Sequence, residues 1–385
     1  MIDRILKSRL KKHPKSFLLL GPRQVGKSTL CNQLRPDFVV DLADEEVFRQ
    51  HVTDSGLIKR IIAGFSSSSM TVLVDEIQRI PSMLNTIQSI LDRNRKLRFL
   101  LTGSSARKLK RGKANLLPGR ILLEFLPPLV YWEIEDRFDL DRALSIGCLP
   151  EVYTEEYGPE LLRSYAAGYL REEIQAEALT RDIGAYGRFL DLAAELSGQY
   201  LNYSKVASDA EINKETVRRY MDILSDTLLV EIIPSFSEVD ERRRARQKDR
   251  FVFFDPGVRN AILGRARGSF SREERGRLFE QWLVLQIIYY DKLFARQWRI
   301  SSYRDAFGVE VDLLIDTGDK LVGIEIKSAV KAHERMFSGL VKLGRLLTRP
   351  LESYVIYQGE HVQRFEGAGL AVPYRRFLSQ TVPGL

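Results

Sequence analysis

Short β-rich runs separated by helix-compatible stretches set the pattern of the first third of the chain. They fall at Phe17–Leu20, Phe38–Leu42, Val72–Asp75, Leu97–Thr102 and Ile121–Phe125. That alternation predicts a parallel sheet in a three-layer α/β arrangement. Gly64-Phe65-Ser66-Ser67-Ser68-Ser69 reads as a loop before the third strand, and Pro127-Pro128 marks a boundary. From there to about Arg188 the pattern is mostly helical, broken at Gly147 and Pro150. Residues Phe189 to Phe236 read as a small helical unit with a β-rich tail, and the chain from Phe251 onward as mixed α/β. The expected segments are 1–127, 128–188, 189–238 and 239–385.

Two further patterns carry detail. Tyr203–Ala207 and Asn213–Leu224 read as short helices followed by the β-rich Leu228–Ile233, a winged helix-turn-helix pattern. On the second helix Val217, Tyr220 and Leu224 point inward, and Thr216, Arg218 and Arg219 lie on the exposed side, where such helices enter a major groove. The same module also serves as a packing or protein-contact unit. Near the end, Val309–Asp316 and Leu321–Lys327 both alternate at period two around Thr317-Gly318-Asp319-Lys320, which suits a type II′ hairpin. In that register Val311 faces Ile326, Leu313 faces Ile324 and Ile315 faces Val322. Asp312 then falls opposite Glu325, and Glu310 opposite Lys327.

Composition narrows the class. The chain has 385 residues, 44% apolar and 29% charged, enough for two to three globular domains. A net charge of +8 favours an anionic partner, nucleic acid ahead of a membrane surface. Only Cys31 and Cys148 are present, so neither a disulfide framework nor a zinc site is expected, and a cytoplasmic, reducing compartment suits the chain. The basic N-terminus lacks the apolar core of a secretory signal. The apolar stretch from Ile121 to Trp132 is interrupted by Glu124 and Pro127-Pro128, so no membrane span is expected.

The chemistry begins at Gly21-Pro22-Arg23-Gln24-Val25-Gly26-Lys27-Ser28, which fits G-x-x-x-x-G-K-[ST] between a strand and a helix. Gly21 through Thr29 would cradle a nucleoside triphosphate with backbone N–H groups, Lys27 would neutralise the β- and γ-phosphates, and Ser28 would ligate Mg²⁺. Val72-Leu73-Val74-Asp75-Glu76 ends a buried strand on two acids. Asp75 would hold Mg²⁺, directly or through water, and Glu76 would polarise the attacking water. Thr102 and Ser104 end the next strand, either sensing the γ-phosphate or serving only as turn residues. A cation for the transition state is sought among Arg107, Lys108, Arg111 and Arg120, with Arg120 preferred, acting within the chain or on a neighbouring subunit.

The hairpin offers a second constellation. Asp312 opposite Glu325 needs a compensating cation, and a divalent metal with Lys327 beside it gives the D…E-x-K arrangement of metal-dependent nucleases. Glu280, in Gly276–Trp282, is a further acid on a preceding helix. The alternative is a hairpin in which Lys327 pairs with both acids and no metal binds. An arginine-rich run, Arg242, Arg243, Arg244, Arg246, Lys248 and Arg250, supplies phosphate contacts or a solvated loop.

Taken together, these motifs resemble the bacterial and archaeal AAA+-like P-loop ATPases that carry a poorly characterised carboxyl-terminal region. The resemblance rests on GPRQVGKSTL, VLVDEIQRIP, LTGSSA, PGR, IGCLPEVY, TVRRYMDILSDTLLV and FFDPGVRNAIL, and on the stretch from GRLFEQW to GIEIKSA. One departure is Pro256, where similar sequences usually carry a small residue. The resemblance implies an AAA+-type core, a winged helix and a terminal restriction-endonuclease-like fold, with ATP and Mg²⁺ as cofactors. The leading expectation is an ATPase acting on DNA as a homo-oligomer, with metal-dependent cleavage as an added activity. The alternatives are an ATP-dependent switch whose later modules contact proteins, and a nuclease gated by ATP.

Overall fold

The computed structural model describes residues 2–65, 69–105, 119–169, 183–238 and 249–385. They form two compact units, Met1–Leu129 with Ile223–Leu229, and Val130–Asp222 with Val230–Leu385. Among the described residues no helix is long and apolar enough to cross a membrane.

The first unit is built on a five-stranded sheet of β1 (Ser16–Leu20), β2 (Phe38–Asp41), β3 (Thr71–Asp75), β4 (Arg98–Gly103) and β5 (Ile121–Phe125), in the order β2-β3-β4-β1-β5. All four pairings are parallel. The inner strands β1, β3 and β4 are buried nearly throughout, which is why they read as unbroken apolar runs rather than alternating ones. The edge strands leave Val39 and Leu123 exposed. Helix α1 (Ile5–Lys12) precedes β1, α2 (Lys27–Asn32) follows the glycine loop, and α3 (Met83–Arg93) lies between β3 and β4. From α3, Leu84 and Ile87 enter a core shared with Leu18, Val72, Val74, Phe99 and Leu101. Fully burying each such side chain contributes about 1.5–3 kcal/mol. Because the strands are parallel, the segments after β1, β3 and β4 all emerge at one edge of the sheet.

Helix α4 (Tyr203–Asp209) and the start of α5 (Lys214–Asp226) belong to the second unit and are joined by a short turn. The end of α5, from Ile223, belongs to the first unit, and α5 leads to β6 (Val230–Ile233), paired antiparallel with β7 (Arg250–Phe253) in the second. Asn202 and Asn213 accept the free N–H groups of Lys205 and Thr216 at the two helix starts. Val217, Tyr220 and Leu224 are buried, Arg218 and Arg219 are exposed and Thr216 is half-buried.

Helix α6 (Pro256–Ile262) explains two of the sequence signatures as packing. Asp255 caps it through Val258 N at 3.0 Å and also accepts Cys148 N at 2.6 Å. Asn260 Nδ2 donates to the Leu144 and Ser145 carbonyls at 2.9 Å each. Burial pushes the Asp255 carboxyl up to about 6 despite these N–H donors. Gly147 adopts φ +78°, and a Cβ there would lie 1.8 Å from Asp255 Oδ1. Gly147→Ala should therefore destabilise the protein by on the order of 3–5 kcal/mol, combining left-handed strain with displacement of a buried acceptor. A thermal melt checks this, and an unchanged midpoint would contradict it.

The rest of the second unit is a six-stranded mixed sheet ordered β12-β13-β11-β10-β9-β8. Its strands are β8 (Arg299–Arg304), β9 (Glu310–Asp316), β10 (Leu321–Lys327), β11 (Leu351–Tyr357), β12 (Gln363–Phe365) and β13 (Gly369–Pro373). Helices α7 (Arg272–Phe294) and α8 (Ser338–Gly344) pack on it. Gly323 lets α8 approach, since a Cβ there would lie 2.6 Å from Leu340. Both faces of β10 are covered, so the one-sided hairpin expected from alternation is in fact buried on both sides.

The register also differs from strict alternation. Ile315 pairs with Val322 and Leu313 with Ile324 as expected, but the β9–β10 ladder ends there. On the other side Ser301 pairs with Leu314 and Tyr303 with Val311, so β9 holds one residue more than β8. That bulge brings Val311 and Leu314 into the same apolar cluster and breaks the alternation at Asp312.

Candidate functional site

At the edge of the first sheet where the strands end, the loop after β1 turns through Gln24 (φ 61°) and Gly26 (φ +90°). Gly21 must lack a side chain because a Cβ would lie 2.3 Å from the Leu126 carbonyl. Lys27 opens α2 and is 5% exposed, with Nζ 2.9 Å from Gly21 O and 2.8 Å from Pro22 O. Burial lowers its pKa to about 8, against the pull of Glu76 and Asp75. A buried ammonium whose hydrogen bonds among the described residues go to carbonyls is a cation prepared for a dianionic or more highly charged guest. The Ser28 hydroxyl makes no hydrogen bond among the described residues, whereas Val25 is fully buried and anchors the loop. Gln24 and Thr29 are exposed, and Pro22 is buried. Arg23 is half-buried beside them.

The loop is also gripped from behind. Arg4, 7% exposed, donates to Val25 O at 2.5 Å and to Pro127 O at 2.7 Å. The basic-rich start of the chain gives no signal in sequence that one of its arginines is buried.

Next along the sheet, Asp75 is 8% exposed and accepts the Thr102 hydroxyl, and Thr102 Oγ1 in turn accepts Glu76 N at 3.0 Å. Glu76 sits at φ 55°, a left-handed conformation that costs a non-glycine residue about 1–3 kcal/mol. This turns its carboxylate onto Gln78 and Ser104. Gln78 Nε2 donates to Glu76 Oε2 and, at 2.9 Å, to Ser104 Oγ, while Ser104 Oγ donates to Glu76 Oε2 at 3.2 Å. Gln78 is buried, and its Oε1 has no partner among the described residues. Sequence reasoning passes over Gln78, although an amide two residues beyond the second acid is a visible signal.

Arg120 stands elsewhere. It precedes β5, where Ile121 aligns with Ser16 at the start of β1, so it lies at the opposite edge from the loop after Leu20. At about 3.3 Å per residue the separation is roughly 16 Å. Its guanidinium makes two bonds to Asp92, at 2.6 and 3.3 Å. It therefore cannot reach the loop of its own chain. Arg107, Lys108 and Arg111 lie outside the described residues.

In the second unit, Lys327 Nζ is 2.7 Å from Glu325 Oε2 and 3.6 Å from Asp312 Oδ2. Asp312 Oδ2 also accepts Ile326 N at 2.8 Å, where the ladder has stopped. Burial works against the Lys327 charge, but Asp312 and Glu325 outweigh it and hold the ammonium above the usual lysine range. Burial, with Asp312 beside it, pushes the Glu325 carboxyl up. Glu280 on α7 is bound by Arg250, which is 3% exposed and also donates to Gly198 O at 2.6 Å and Asp312 O at 3.2 Å. Arg250 is thus an interior residue and not one of the surface phosphate contacts expected of its run; Arg242, Arg243, Arg244, Arg246 and Lys248 lie outside the described residues. Arg250 and Lys327 pair with Glu280, Asp312 and Glu325, and no group of three or more His, Cys, Asp or Glu among the described residues is placed to hold an ion.

The loop edge fits a Mg²⁺–nucleotide. Ser28 and Asp75 offer oxygen ligands, and Lys27 offers charge.

Three family matches cover the chain in sequence: an AAA domain at residues 13–135, a domain of unknown function (DUF8612) at 137–268, and another (DUF4143) at 275–377. Uncharacterized proteins of Mycobacterium bovis and Mycobacterium tuberculosis are each 27% identical over 372 residues, covering 94% of this chain and 80% of the relative. Among solved structures, a STAND signal-transduction ATPase with a tetratricopeptide repeat sensor from Pyrococcus horikoshii aligns at TM-score 0.27 and 15% identity. That alignment covers 75% of this chain and 45% of the other, so the chain spans less than half the length of that protein. A DNA polymerase III gamma subunit-related protein from Thermotoga maritima aligns at TM-score 0.26 and 12% identity, covering 58% of this chain and 98% of the other. The AAA match carries ATP binding and hydrolysis as the general activity of the first domain, with nucleotide and Mg²⁺ as its general ligands. The first domain thus matches an AAA family, and the rest of the chain matches two domains of unknown function.

Proposed function

We propose that this protein is a Mg²⁺-dependent ATPase whose turnover is coupled to DNA held by its second unit. The observation that carries the reading is the convergence of Lys27, Asp75, Glu76, Gln78 and Ser104 at one edge of the parallel sheet. Lys27 and the N–H groups of the glycine loop hold the β- and γ-phosphates. Ser28 and Asp75 hold Mg²⁺, which when bound offsets phosphate charge. Glu76 accepts a proton from the attacking water, and Gln78 and Ser104 fix the direction of its carboxylate.

The DNA side of the proposal rests on α4, α5 and the β6–β7 pair, a winged helix-turn-helix arrangement. Lys205, Lys214, Arg218 and Arg219 are exposed on its helices. The Arg218 guanidinium lies 5.6 Å from the Tyr203 ring and that of Arg219 5.5 Å from the Tyr220 ring, which limits the freedom each loses on meeting a phosphate. Ion pairing within the Glu280–Asp312–Glu325–Lys327–Arg250 cluster favours holding DNA without cutting it.

The test is steady-state ATP hydrolysis with and without duplex, single-stranded and branched DNA, using Lys27→Ala as the blank. Stimulation by one form is expected, with that DNA left intact in Mg²⁺ or Mn²⁺. Turnover indifferent to every form would replace this reading with a protein-directed switch. Cleavage that disappears in Asp312→Ala would overturn the non-cutting part alone.

A further inference from the structure

The charge of the chain is unevenly spread. Residues 1–129 hold 23 Lys and Arg against 11 Asp and Glu, a net +12, in a chain whose total is +8. The nucleotide edge does not account for this excess, because much of it gathers at the opposite edge of the first sheet. There the end of α1 leads into β1, and the end of α3 leads into β4. These two connections carry Lys11, Lys12, Lys15, Arg93, Arg95 and Lys96, all exposed. Arg98 ties the connections together, donating to Leu10 O and, at 3.4 Å, to Lys15 O. Lys15, Arg95 and Arg120 line one cavity with Leu91 and Leu97.

None of the six exposed cations forms an ion pair among the described residues. The acids described at this edge are already engaged: Asp92 with Arg120, and Asp37, two strands away, with Thr71 N at 2.7 Å. The edge stands a strand's length from the phosphate loop, beyond the Debye length of about 8 Å at physiological salt, so these cations do not serve the nucleotide.

We infer that this edge of the ATPase unit is a second DNA-binding surface that grips duplex phosphates. The inference deepens the DNA-coupled reading and rests on it for the identity of the partner. Unpaired lysine and arginine side chains on short, fixed connections suit a row of phosphates, because each phosphate they neutralise releases condensed counterions. An acidic membrane is the poorer match. Elements that lie in a lipid interface present large apolar side chains beside their cations, and no large apolar side chain is exposed on residues 5–16 or 91–98.

The experiment measures binding of a fluorescent 20-bp duplex across a salt series, for wild type, for Lys12→Gln/Lys15→Gln/Arg95→Gln/Lys96→Gln, and for Arg218→Gln/Arg219→Gln. The fourfold variant should bind more weakly, with a log Kd against log salt slope flatter by about 0.9 for each phosphate that is no longer neutralised. Its DNA-free ATP hydrolysis and melting temperature should match wild type, showing that the fold and the distant nucleotide edge are intact. If wild type binds and the fourfold variant keeps the full slope, the inference fails while the DNA reading stands. A flatter slope without any DNA stimulation of hydrolysis supports the surface and overturns the coupling. No duplex binding by wild type, or equal weakening of binding to anionic vesicles, overturns the surface as a DNA site.

Discussion

Lys27→Met is expected to abolish ATP binding and, at the same time, to raise the melting temperature of the nucleotide-free protein at neutral pH. The reason lies in the lowered pKa. A lysine brought from 10.5 to about 8 by burial keeps its charge at pH 7 only at a cost. A shift of that size corresponds to roughly 3 kcal/mol of folding free energy, an order-of-magnitude figure. The folded protein releases this proton more readily than the unfolded chain. The penalty is therefore fully present below about pH 8 and is relieved as pH rises toward 10.5. Methionine is unbranched and apolar and removes the penalty, although it leaves the Gly21 and Pro22 carbonyls to find water. A net gain on the order of 1–2 kcal/mol remains, a few degrees for a domain of this size. Scanning fluorimetry of wild type and variant from pH 6 to pH 10 checks the claim, since the two curves should converge as pH rises. A variant less stable than wild type at pH 7 would show that the lysine serves the fold. Titration calorimetry gives the functional half: above about pH 8, ATP binding to wild type should weaken and take up close to one proton, because the phosphates need the charged ammonium.

The same residues show what the sequence makes legible. Gly21, Gly26, Lys27 and the acids of β3 are readable because the constraints on them are local: a tight turn, a helix start, the end of a buried strand. The five parallel strands are readable because burial on both faces leaves unbroken apolar runs. What lies hidden depends on partners far along the chain. The bulge at Asp312 arises from a mismatch between β9 and β8, and a period-two pattern in β9 cannot reveal it. Arg250 sits in sequence at the end of a charged run, yet its partners come from Gly198, Glu280 and Asp312. Arg120 precedes its strand, and only the parallel order of the sheet places it a strand's length from the phosphate loop. The later signature residues Gly147, Asp255, Gly257 and Asn260 turn out to hold one another in place, with a Cβ on Gly257 falling 1.9 Å from Ile146 O.

Glu76→Gln should lower kcat for ATP hydrolysis by about 10²–10⁴ while ATP still binds, because the amide cannot take a proton from water. Gln78→Leu is the more informative change. Leucine is close to glutamine in size and leaves Glu76 charged, but it removes the donor shared by Glu76 Oε2 and Ser104 Oγ. The carboxylate then keeps only the Ser104 hydroxyl, 3.2 Å away, and its direction is no longer fixed by two groups. If Gln78 acts by aiming Glu76, kcat falls with KM for ATP nearly unchanged, and Ser104→Ala produces a smaller loss of the same kind. Adding Gln78→Leu to Glu76→Gln should then cost little more, because the group being aimed is already gone. Fully multiplicative losses in the double variant would mean that Gln78 acts independently of Glu76. A rise in KM without a fall in kcat would instead place Gln78 on the nucleotide. The αL backbone of Glu76 gives the mechanism its physical logic: the chain strains one residue so that a carboxylate at the edge of the sheet meets a buried amide.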